Sequence, residues 1–242
     1  MIAPETLEKL KQIDTPTLCN VIELFDVIPR NQGFMDARIR CQFPSLPPMV
    51  GFAATASFRS DQPPPQGDAY GNMEKQIEQF AELPGPAVVV FQDLDDPAVS
   101  ATFGEVMCTT YKTFGSTGLI TSGAARDLLQ VEPLEYPVFS NGTICSHAYC
   151  HILHLGLPVR VGGLTVSEGD LLHGDANGVA RVPMEIADEI PHAAAEFTEA
   201  EQIVLGYLNG EGEKTPQEFA QRRKAFQAAA AELRKRISRK KA

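Results

Sequence analysis

The spacing of apolar residues predicts helices at both ends of the chain and one more between them. Two short helices are expected over residues 4–13 and 16–25, where apolar side chains recur every three or four positions. Thr15 before Pro16 is a capping residue followed by a proline in the first turn, which is typical of a helix start. Residues 72–83 show the same spacing and predict a third helix.

Continuous apolar runs predict strands in the middle of the chain. The run VGFAATASF (50–58) has strand composition, and PGPAVVVFQ (84–92) is a turn leading into a run typical of a strand buried on both faces. A helix over 104–114 and a strand over 118–122 follow. The order strand, helix, strand predicts a parallel pair joined by a right-handed crossover.

Short strands linked by tight turns are predicted over residues 136–140, 157–166, 170–175 and 178–183. The residues from Asp175 to Gly178 are of the types that hairpin turns require. We therefore interpret Asp175 as a turn residue rather than a ligand. The proline-rich segment DQPPPQGDAYGN (61–72) predicts a loop, which is either a plain connector or a cover over a site.

Helical spacing returns over residues 186–210, with a kink or break expected at Pro191. The last helix begins with TPQE (215–218), a capping box with proline at its first position. Its apolar stripe comprises Phe219, Phe226, Ala230, Leu233 and Ile237. On a terminal helix, such a stripe predicts packing across a subunit interface or, almost equally, docking on its own domain.

Length and composition favour one large domain, or one domain with a helical appendage. The 242 residues are enough to bury a substantial core, and 43% of apolar residues is ordinary for a globular protein. No apolar run reaches the roughly 18 residues that span a bilayer, and the first residues lack a signal-peptide pattern. The 5 cysteines have no small-domain spacing and predict reduced thiols. We expect a cytoplasmic protein that does not contact membranes.

Charge is distributed unevenly along the chain. From Lys214 onward there are 10 Lys and Arg residues and 2 acidic ones, whereas the remainder holds 11 basic and 29 acidic residues. An acidic body argues against nucleic-acid binding. We interpret the basic tail as a solvated helix face, with contact to an acidic partner or a neighbouring subunit as the alternative.

The stretch GEVMCTTYKTFGSTGLITSGAARD (104–127) holds the candidate chemistry. A helix that begins after Gly104 presents the unpaired backbone amides of Val106 and Met107, which suit a carboxylate. Arg126 offers a planar fork for a carboxylate, and Asp127 is an oxygen ligand of the kind that Mg²⁺ or Mn²⁺ prefers.

Glu105, at the start of the same stretch, is a second carboxylate that would reach a metal directly or through a water. The spacing alone fits a plainer interpretation better. In that interpretation Arg126 and Asp127 form a surface pair, and Glu105 interacts favourably with the helix dipole.

Two segments together resemble a known family. Glu105-x20-Arg126-Asp127 resembles the acidic-x20-Arg-Asp pattern of the RraA-like family, which includes the 4-hydroxy-4-methyl-2-oxoglutarate aldolases. The run VGGLTVSEGDLLHGDANGVARVP (161–183) is similar to that family's Gly-Gly, Gly-Asp and Gly-Asp-x-x-Gly-Val segment. Because both segments occur in order, the chain is identified as a member over roughly residues 10–190.

The resemblance implies an α/β fold, the RraA-like α/β/β sandwich with a central parallel or mixed sheet. It divides the chain into a catalytic domain, 1–190, and a C-terminal helical extension, 191–242. It also implies a homotrimer or hexamer with sites between subunits. The implied activity is that of a Mg²⁺- or Mn²⁺-dependent lyase, an aldolase that releases pyruvate and also decarboxylates oxaloacetate.

The resemblance assigns separate roles to the motif residues. Asp127 would bind the metal directly and Glu105 through a water. Arg126 would hold the small 2-oxo acid, helped by the amides of Val106 and Met107. The implied mechanism is a class II retro-aldol reaction, for which we expect a metal-activated water as the base.

Three further residues bear on this assignment. Lys112 lies on the helix body rather than at a position suited to a Schiff base, so the covalent route is disfavoured. Ser122 stands where many members have an aspartate before the glycine, a difference that bears on substrate choice and metal affinity. Gln130 stands where members lacking an acid at the Glu105 position place their acidic residue.

Two alternatives stay open. The segment CSHAYCHILH (145–154) has spacing that can bind zinc, but strand alternation would separate its side chains. A core strand carrying thiols, with one or two histidines lining the site, is favoured; the residues concerned are Cys145, His147, Cys150, His151 and His154. The functional alternative to an enzyme is a non-catalytic regulator that binds a protein partner such as a ribonuclease.

Overall fold

The computed structural model describes residues 2–65, 67 and 71–240. Its helices are α1 (Pro4–Leu10), α2 (Thr15–Phe25), α3 (Met73–Gln79), α4 (Glu105–Thr113), α5 (Leu128–Val131), α6 (Ile190–Asn209) and α7 (Pro216–Ile237). Its strands are β1 (Arg40–Cys41), β2 (Met49–Arg59), β3 (Ala87–Asp93), β4 (Ala101–Phe103), β5 (Ser116–Thr121), β6 (Ala124–Ala125), β7 (Val138–Ser140), β8 (His151–Leu155), β9 (Val159–Val161), β10 (Leu164–Val166), β11 (Leu171–Asp175) and β12 (Gly178–Val182). The predicted loop 61–72 includes residues 66 and 68–70, which lie outside the described part.

A mixed sheet forms the centre of the molecule. Its strands lie in the order β1-β7-β5-β3-β2-β11-β12, and β8 also pairs with β2. Strands β2, β3, β5 and β7 are parallel neighbours, whereas β1, β8, β11 and β12 pair antiparallel. The parallel pair β3–β5 with α4 between its strands confirms the expected strand, helix, strand order.

The two faces of the sheet are covered by different layers. On β3, Val89 and Phe91 pack toward the helices, while Val88 and Val90 pack toward the antiparallel pair β9–β10. All four residues are buried, which confirms the prediction of a strand covered on both faces. Helices, central sheet and small sheet therefore form the three layers of an α/β/β sandwich.

The C-terminal helices pack against the same core as α2. The apolar cluster that holds Leu18 and Phe25 also contains Phe197 of α6 and Leu233 of α7. The Arg234 guanidinium donates two hydrogen bonds to the Asp26 carboxylate, at 2.9 and 2.7 Å. The second half of α7 thus docks on its own chain. This agrees with one of the two predictions for its apolar stripe, docking on its own domain.

Two details of these helices differ from expectation. The helix expected from residue 186 begins only at Ile190, so a break lies next to Pro191 and no kink forms there. The proline lies in the first turn of α6, where a backbone N–H would have no partner within the helix. At the start of α7, the Thr215 hydroxyl accepts from the Glu218 amide at 3.2 Å, as a cap should. The Thr215 amide, however, donates to the Tyr207 hydroxyl at 2.8 Å, so the capping box is only half formed.

Within the described part of the chain, we find no helix that is both long and apolar enough to cross a bilayer.

Candidate functional site

Two short parallel strands bring the ends of the 104–127 stretch together. β4 pairs with β6, and the Arg126 amide donates to the Phe103 carbonyl at 3.1 Å. Gly104 and Glu105 therefore start α4 directly beside Arg126 and Asp127, although twenty residues separate them in sequence. The structure thus brings the predicted site residues to one place.

Asp127 is held in a conformation that turns its side chain back toward α4. Its backbone is left-handed (φ 56°, ψ 32°), a conformation that aspartate tolerates better than most residues. Its carbonyl accepts from the amides of Gln130 and Val131, at 3.0 and 2.9 Å, and these bonds hold the turn. Its Oδ2 accepts from the Glu105 amide at 3.2 Å and lies 3.6 Å from Arg126 Nε.

Gly104 permits this close approach. A Cβ atom at this position would overlap Asp127 Oδ2 and lie 3.1 Å from Arg126 Nε. The absence of a side chain therefore lets the carboxylate and the guanidinium lie against the backbone where the helix begins.

The first turn of α4 has free hydrogen-bond donors. Its Glu105 amide donates to Asp127, and the Cys108 amide donates to the Gly104 carbonyl at 3.1 Å. Among the described residues, the amides of Val106 and Met107 between them have no acceptor. Unpaired amides at the start of a helix, together with the helix dipole, attract anions, and Arg126 lies next to them.

The side chains in this turn divide between core and surface. The Met107 side chain is buried, so only its backbone is available to a ligand, whereas Val106 is 69% exposed. Cys108 is buried as well, and burial, reinforced by the nearby Asp127, raises the pKa of its thiol. A neutral buried thiol does not act as a nucleophile here.

The carboxylates of Glu105 and Asp127 suit a water-rich metal site. Glu105 is exposed, and within the described part of the chain its carboxylate has no partner. No group of three or more His, Cys, Asp or Glu residues that could hold a metal occurs among the residues described. Mg²⁺ is commonly bound by one or two carboxylates together with waters and substrate. Two carboxylates therefore suit Mg²⁺ or Mn²⁺ and do not suit a metal that is held by protein ligands alone.

The flanking candidates lie around this site rather than in it. The Ser122 hydroxyl accepts from the Asp93 amide at 2.9 Å, at the end of β3. Gln130 is exposed on α5. Lys112 donates to the Leu134 carbonyl at the far end of α4, which keeps its amine away from Arg126.

The 145–154 segment is spread over different environments. Cys145 and His147 are exposed in a loop, whereas Cys150 and His151 are buried at the start of β8. His154, at the other end of β8, has its Nδ1 3.1 Å from the Ser57 hydroxyl. Among the described residues, none of these histidines forms a hydrogen bond with Glu105, Arg126 or Asp127, and the expectation that one or two of them line the site stays a prediction.

Asp175 acts as a turn residue, as predicted. Its carboxylate accepts from the amides of Asn177 and Thr15, at 2.7 and 2.8 Å, and so joins the β11–β12 turn to the start of α2. Burial alone would raise its pKa, but these hydrogen bonds outweigh burial and leave the pKa of Asp175 below its ordinary value.

The sequence reasoning missed Asp93, the last residue of β3. It is 8% exposed, its Oδ1 accepts from the Asp95 amide at 3.0 Å, and its Oδ2 is buried with no partner in the described structure. Burial, with Asp95 and Asp96 nearby, raises the pKa of Asp93 to about 6. The sequence signal that could have identified Asp93 is a carboxylate at the end of a continuous apolar run.

Comparison with known proteins places the chain in a family. The family model RraA-like, described as Aldolase/RraA, matches residues 15–181. The match covers well over half of the chain and includes Glu105, Arg126 and Asp127. The chain therefore belongs to the RraA-like family.

Two curated relatives match part of the chain. A Halalkalibacterium halodurans protein named "Putative 4-hydroxy-4-methyl-2-oxoglutarate aldolase" is 33% identical over 105 residues, which are 43% of this chain and 49% of the relative. An uncharacterized Methanocaldococcus jannaschii protein is 29% identical over 107 residues, 43% of this chain and 51% of the relative. The chain thus matches about half the length of these two curated relatives.

Solved structures share the fold. An uncharacterized protein from Pseudomonas syringae superposes with a TM-score of 0.70 at 23% identity, covering 92% of this chain and 94% of the other. Streptomyces coelicolor RraAS2, described as an unusual member of the RNase ES inhibitor RraA family, gives 0.68 at 21% identity, covering 86% and 100%. At these identities the likeness concerns the fold alone.

Proposed function

We propose that the chain is a divalent-metal-dependent class II aldolase. Its substrate would be 4-hydroxy-4-methyl-2-oxoglutarate or a related 4-hydroxy-2-oxo acid, and it would also decarboxylate oxaloacetate. The observation that carries this proposal is the meeting of Arg126, Asp127 and the open first turn of α4 at one place. The RraA-like assignment and the name of the Halalkalibacterium halodurans relative support the aldolase class.

The arrangement suits a 2-oxo acid. The guanidinium of Arg126 would pair with the substrate carboxylate, and the amides of Val106 and Met107 would donate to the same group. Asp127 would bind Mg²⁺ or Mn²⁺ directly, with Glu105 reaching the ion through a water. When bound, the metal supplies Lewis-acid polarisation of the 2-oxo group.

Both proposed reactions leave the same product fragment. In the aldol cleavage, the C4 hydroxyl gives its proton to a water that acts as the base, and the C3–C4 bond breaks. C4 becomes the carbonyl carbon of the second product, and the electron pair of the broken bond forms the enolate of pyruvate. In oxaloacetate, the same bond breaks with loss of CO₂. Arg126 would stabilise the negative charge that develops in either case, and protonation at C3 gives pyruvate.

The site is proposed to lie between subunits of a homotrimer or hexamer. Glu105 and Asp127 are exposed on the single chain, and so is the Val106 side chain. A reaction that develops charge benefits from a closed environment, and a second copy would supply the missing wall.

A pyruvate assay tests the proposal. Chelator-stripped protein receives oxaloacetate or 4-hydroxy-4-methyl-2-oxoglutarate, with and without Mg²⁺ or Mn²⁺, and pyruvate formation is followed. We expect metal-dependent turnover on at least one of them. No metal-dependent turnover on either would contradict the aldolase assignment.

Variants at two positions assign the roles. Asp127→Asn keeps the shape of the side chain and its tolerance of a left-handed backbone, but it removes the charge. The metal affinity, measured by calorimetry, should therefore fall at least tenfold, as expected for the loss of a charged ligand. Arg126→Lys keeps the charge but loses the fork, so KM for the 2-oxo acid should rise. Unchanged kinetics in Arg126→Ala would remove this residue from the site.

The alternative is a non-catalytic regulator that binds a protein partner such as a ribonuclease. The observation that favours it is the exposed basic surface of α7. Metal-independent binding of a purified ribonuclease, together with no turnover in the pyruvate assay, would support the regulator over the enzyme.

A further inference from the structure

A second polar cavity lies at the carboxyl ends of the parallel strands. Its volume is about 550 Å³, within the range of small-molecule sites. Asp93, Ser122 and Asn141 line it where β3, β5 and β7 end, and Arg38 and Arg160 line it from the layer that carries β9. Crevices at such strand ends are the usual binding place in α/β folds. Glu105, Arg126 and Asp127 do not line this cavity.

Asp93 is the feature that points to a ligand. More than nine-tenths of this residue is buried, yet its Oδ2 has no hydrogen-bond partner among the described residues. A buried acceptor left unpaired costs free energy, which a donor brought by a ligand would recover. Oδ2 lies against Gly123, where a Cβ would overlap both this oxygen and the Thr102 hydroxyl.

The charges around the cavity nearly balance. Arg38 is held by two hydrogen bonds to Asp36, at 3.0 and 2.7 Å. Asp95 accepts from the Ser60 amide at 2.7 Å and lies 3.6 Å from Arg59. The cavity is thus lined by three carboxylates, those of Asp93, Asp95 and Asp96, and by two guanidinium groups, those of Arg38 and Arg160.

The arginine of β9 provides the complementary group. Its backbone amide donates to Gln92 Oε1 at 2.8 Å, which fixes the strand against the sheet. The guanidinium of Arg160 has no partner within the described part of the chain. It is therefore available to donate across the cavity from Asp93.

We propose that this cavity binds a neutral, hydroxyl-rich molecule of monosaccharide size, with Asp93 accepting from one hydroxyl group and Arg160 donating to another. A hydroxyl group both donates and accepts, so it satisfies carboxylates and guanidinium groups alike. An anion would meet Asp93, Asp95 and Asp96, and a cation would meet the two arginines. The described residues also hold no group of three metal-ligating side chains.

Saturation-transfer NMR tests this proposal on the full chain. The probes are D-glucose, D-ribose and glycerol as neutral compounds, with malonate as the anion and Mg²⁺, followed by titration, as the cation. We expect at least one of the sugars to bind, and Arg160→Ala and Asp93→Asn each to weaken that binding about tenfold, the usual effect of losing a hydrogen bond to a charged group. Arg30→Ala, an exposed arginine outside the cavity, is the matched control and should leave binding unchanged.

Several outcomes would overturn the proposal. One is that no neutral probe binds. Another is that binding survives both Arg160→Ala and Asp93→Asn, or is equally weakened by Arg30→Ala. A third is that malonate or Mg²⁺, but none of the neutral compounds, binds at a site sensitive to Arg160→Ala. Arg160 is an exposed residue, so this variant remains informative even where Asp93→Asn fails to fold.

Discussion

Two glycines set how closely carboxylates approach the backbone in this molecule. Gly104 accommodates Asp127 at the start of α4, and Gly123 accommodates Asp93 at the end of β3. In both places a Cβ atom would overlap a carboxylate oxygen, although neither glycine has a positive φ. The requirement is therefore for space rather than for backbone freedom, and it predicts what a methyl group would do.

Replacing Gly104 with alanine should damage the site while leaving the fold intact. The new methyl group would displace the Asp127 carboxylate and crowd Arg126, so pyruvate formation should fall at least tenfold, the scale of a small misplacement of catalytic groups. The extended backbone of this residue (φ −151°) suits alanine, so the free energy of unfolding should change by less than about 1 kcal/mol.

The control for Gly104→Ala is Gly206→Ala, an exposed position of α6 where a Cβ meets nothing within 4 Å. It should leave pyruvate formation unchanged and stabilise the helix slightly. Full activity in Gly104→Ala would show that the contact with Asp127 is not needed.

Asp93→Asn should change how stability depends on pH. The pKa of Asp93 is about 6 in the folded chain because of burial, against about 3.9 in an unfolded chain. Between these values the folded state holds a proton that the unfolded state lacks, so this residue makes the wild type less stable as pH rises from 4 to 6. Asparagine does not titrate, so the variant does not lose this stability as pH rises.

Denaturant unfolding at pH 4 and pH 8 measures the effect. From pH 4 to pH 8, the free energy of unfolding of Asp93→Asn relative to the wild type should increase by about 1–2 kcal/mol. This is less than the full pKa difference would give, because the side chain is not wholly desolvated. An equal difference at both pH values would show that Asp93 ionises normally.

At the scale of elements, one buried histidine fixes the corner between α1 and α2. His173 on β11 has its Nε2 3.1 Å from the Leu10 carbonyl and its Nδ1 3.0 Å from the Thr15 hydroxyl. The carbonyl only accepts, so Nε2 carries the proton and Nδ1 accepts from Thr15. Burial lowers the pKa of His173 despite these bonds, which keeps the ring neutral.

His173→Gln should therefore flatten the acid side of the stability profile. Below about pH 6.5, His173 binds a proton in the unfolded wild type but stays neutral in the folded state. The wild type therefore loses stability as pH falls. Glutamine removes this contribution, although the variant should be about 1 kcal/mol less stable at pH 8 through the lost Thr15 bond.

Unfolding at pH 8 and pH 5 compares the two proteins. His192→Gln, at an exposed position of α6, is the matched control and should keep the wild-type pH dependence. A loss of stability between pH 8 and pH 5 that is the same in His173→Gln and in the wild type would contradict the account.

The elements also show where sequence patterns stop being informative. Long runs such as 84–92 predicted β3 well, because burial on both faces leaves a continuous apolar signal. Strands β4 and β6 have three and two residues, too few for any periodicity, yet they bring Gly104 to Arg126. Family resemblance supplied that proximity instead. The Asp93 oxygen that has no partner among the described residues packs against Gly123, a contact between distant segments that no local pattern encodes.

At the scale of the whole molecule, two large apolar side chains are exposed near the site. Leu129 on α5, two residues from Asp127, is 81% exposed. Val106, on the first turn of α4, is 69% exposed. They lie on neighbouring helices, α4 and α5, and we expect a partner to cover them. The proposed trimer or hexamer would cover them with a second copy of the chain.

Light scattering should therefore give three or six times the mass of the chain. Leu129→Glu places a charge where we expect the neighbouring copy to pack. The variant should therefore shift toward monomer and form less pyruvate, while its circular dichroism spectrum stays unchanged. Leu157→Glu, at a leucine that is 54% exposed before β9, is the matched control and should keep both mass and activity. A wild-type monomer with full metal-dependent activity would show that the site is complete within one chain, because every catalytic group would then come from the same copy.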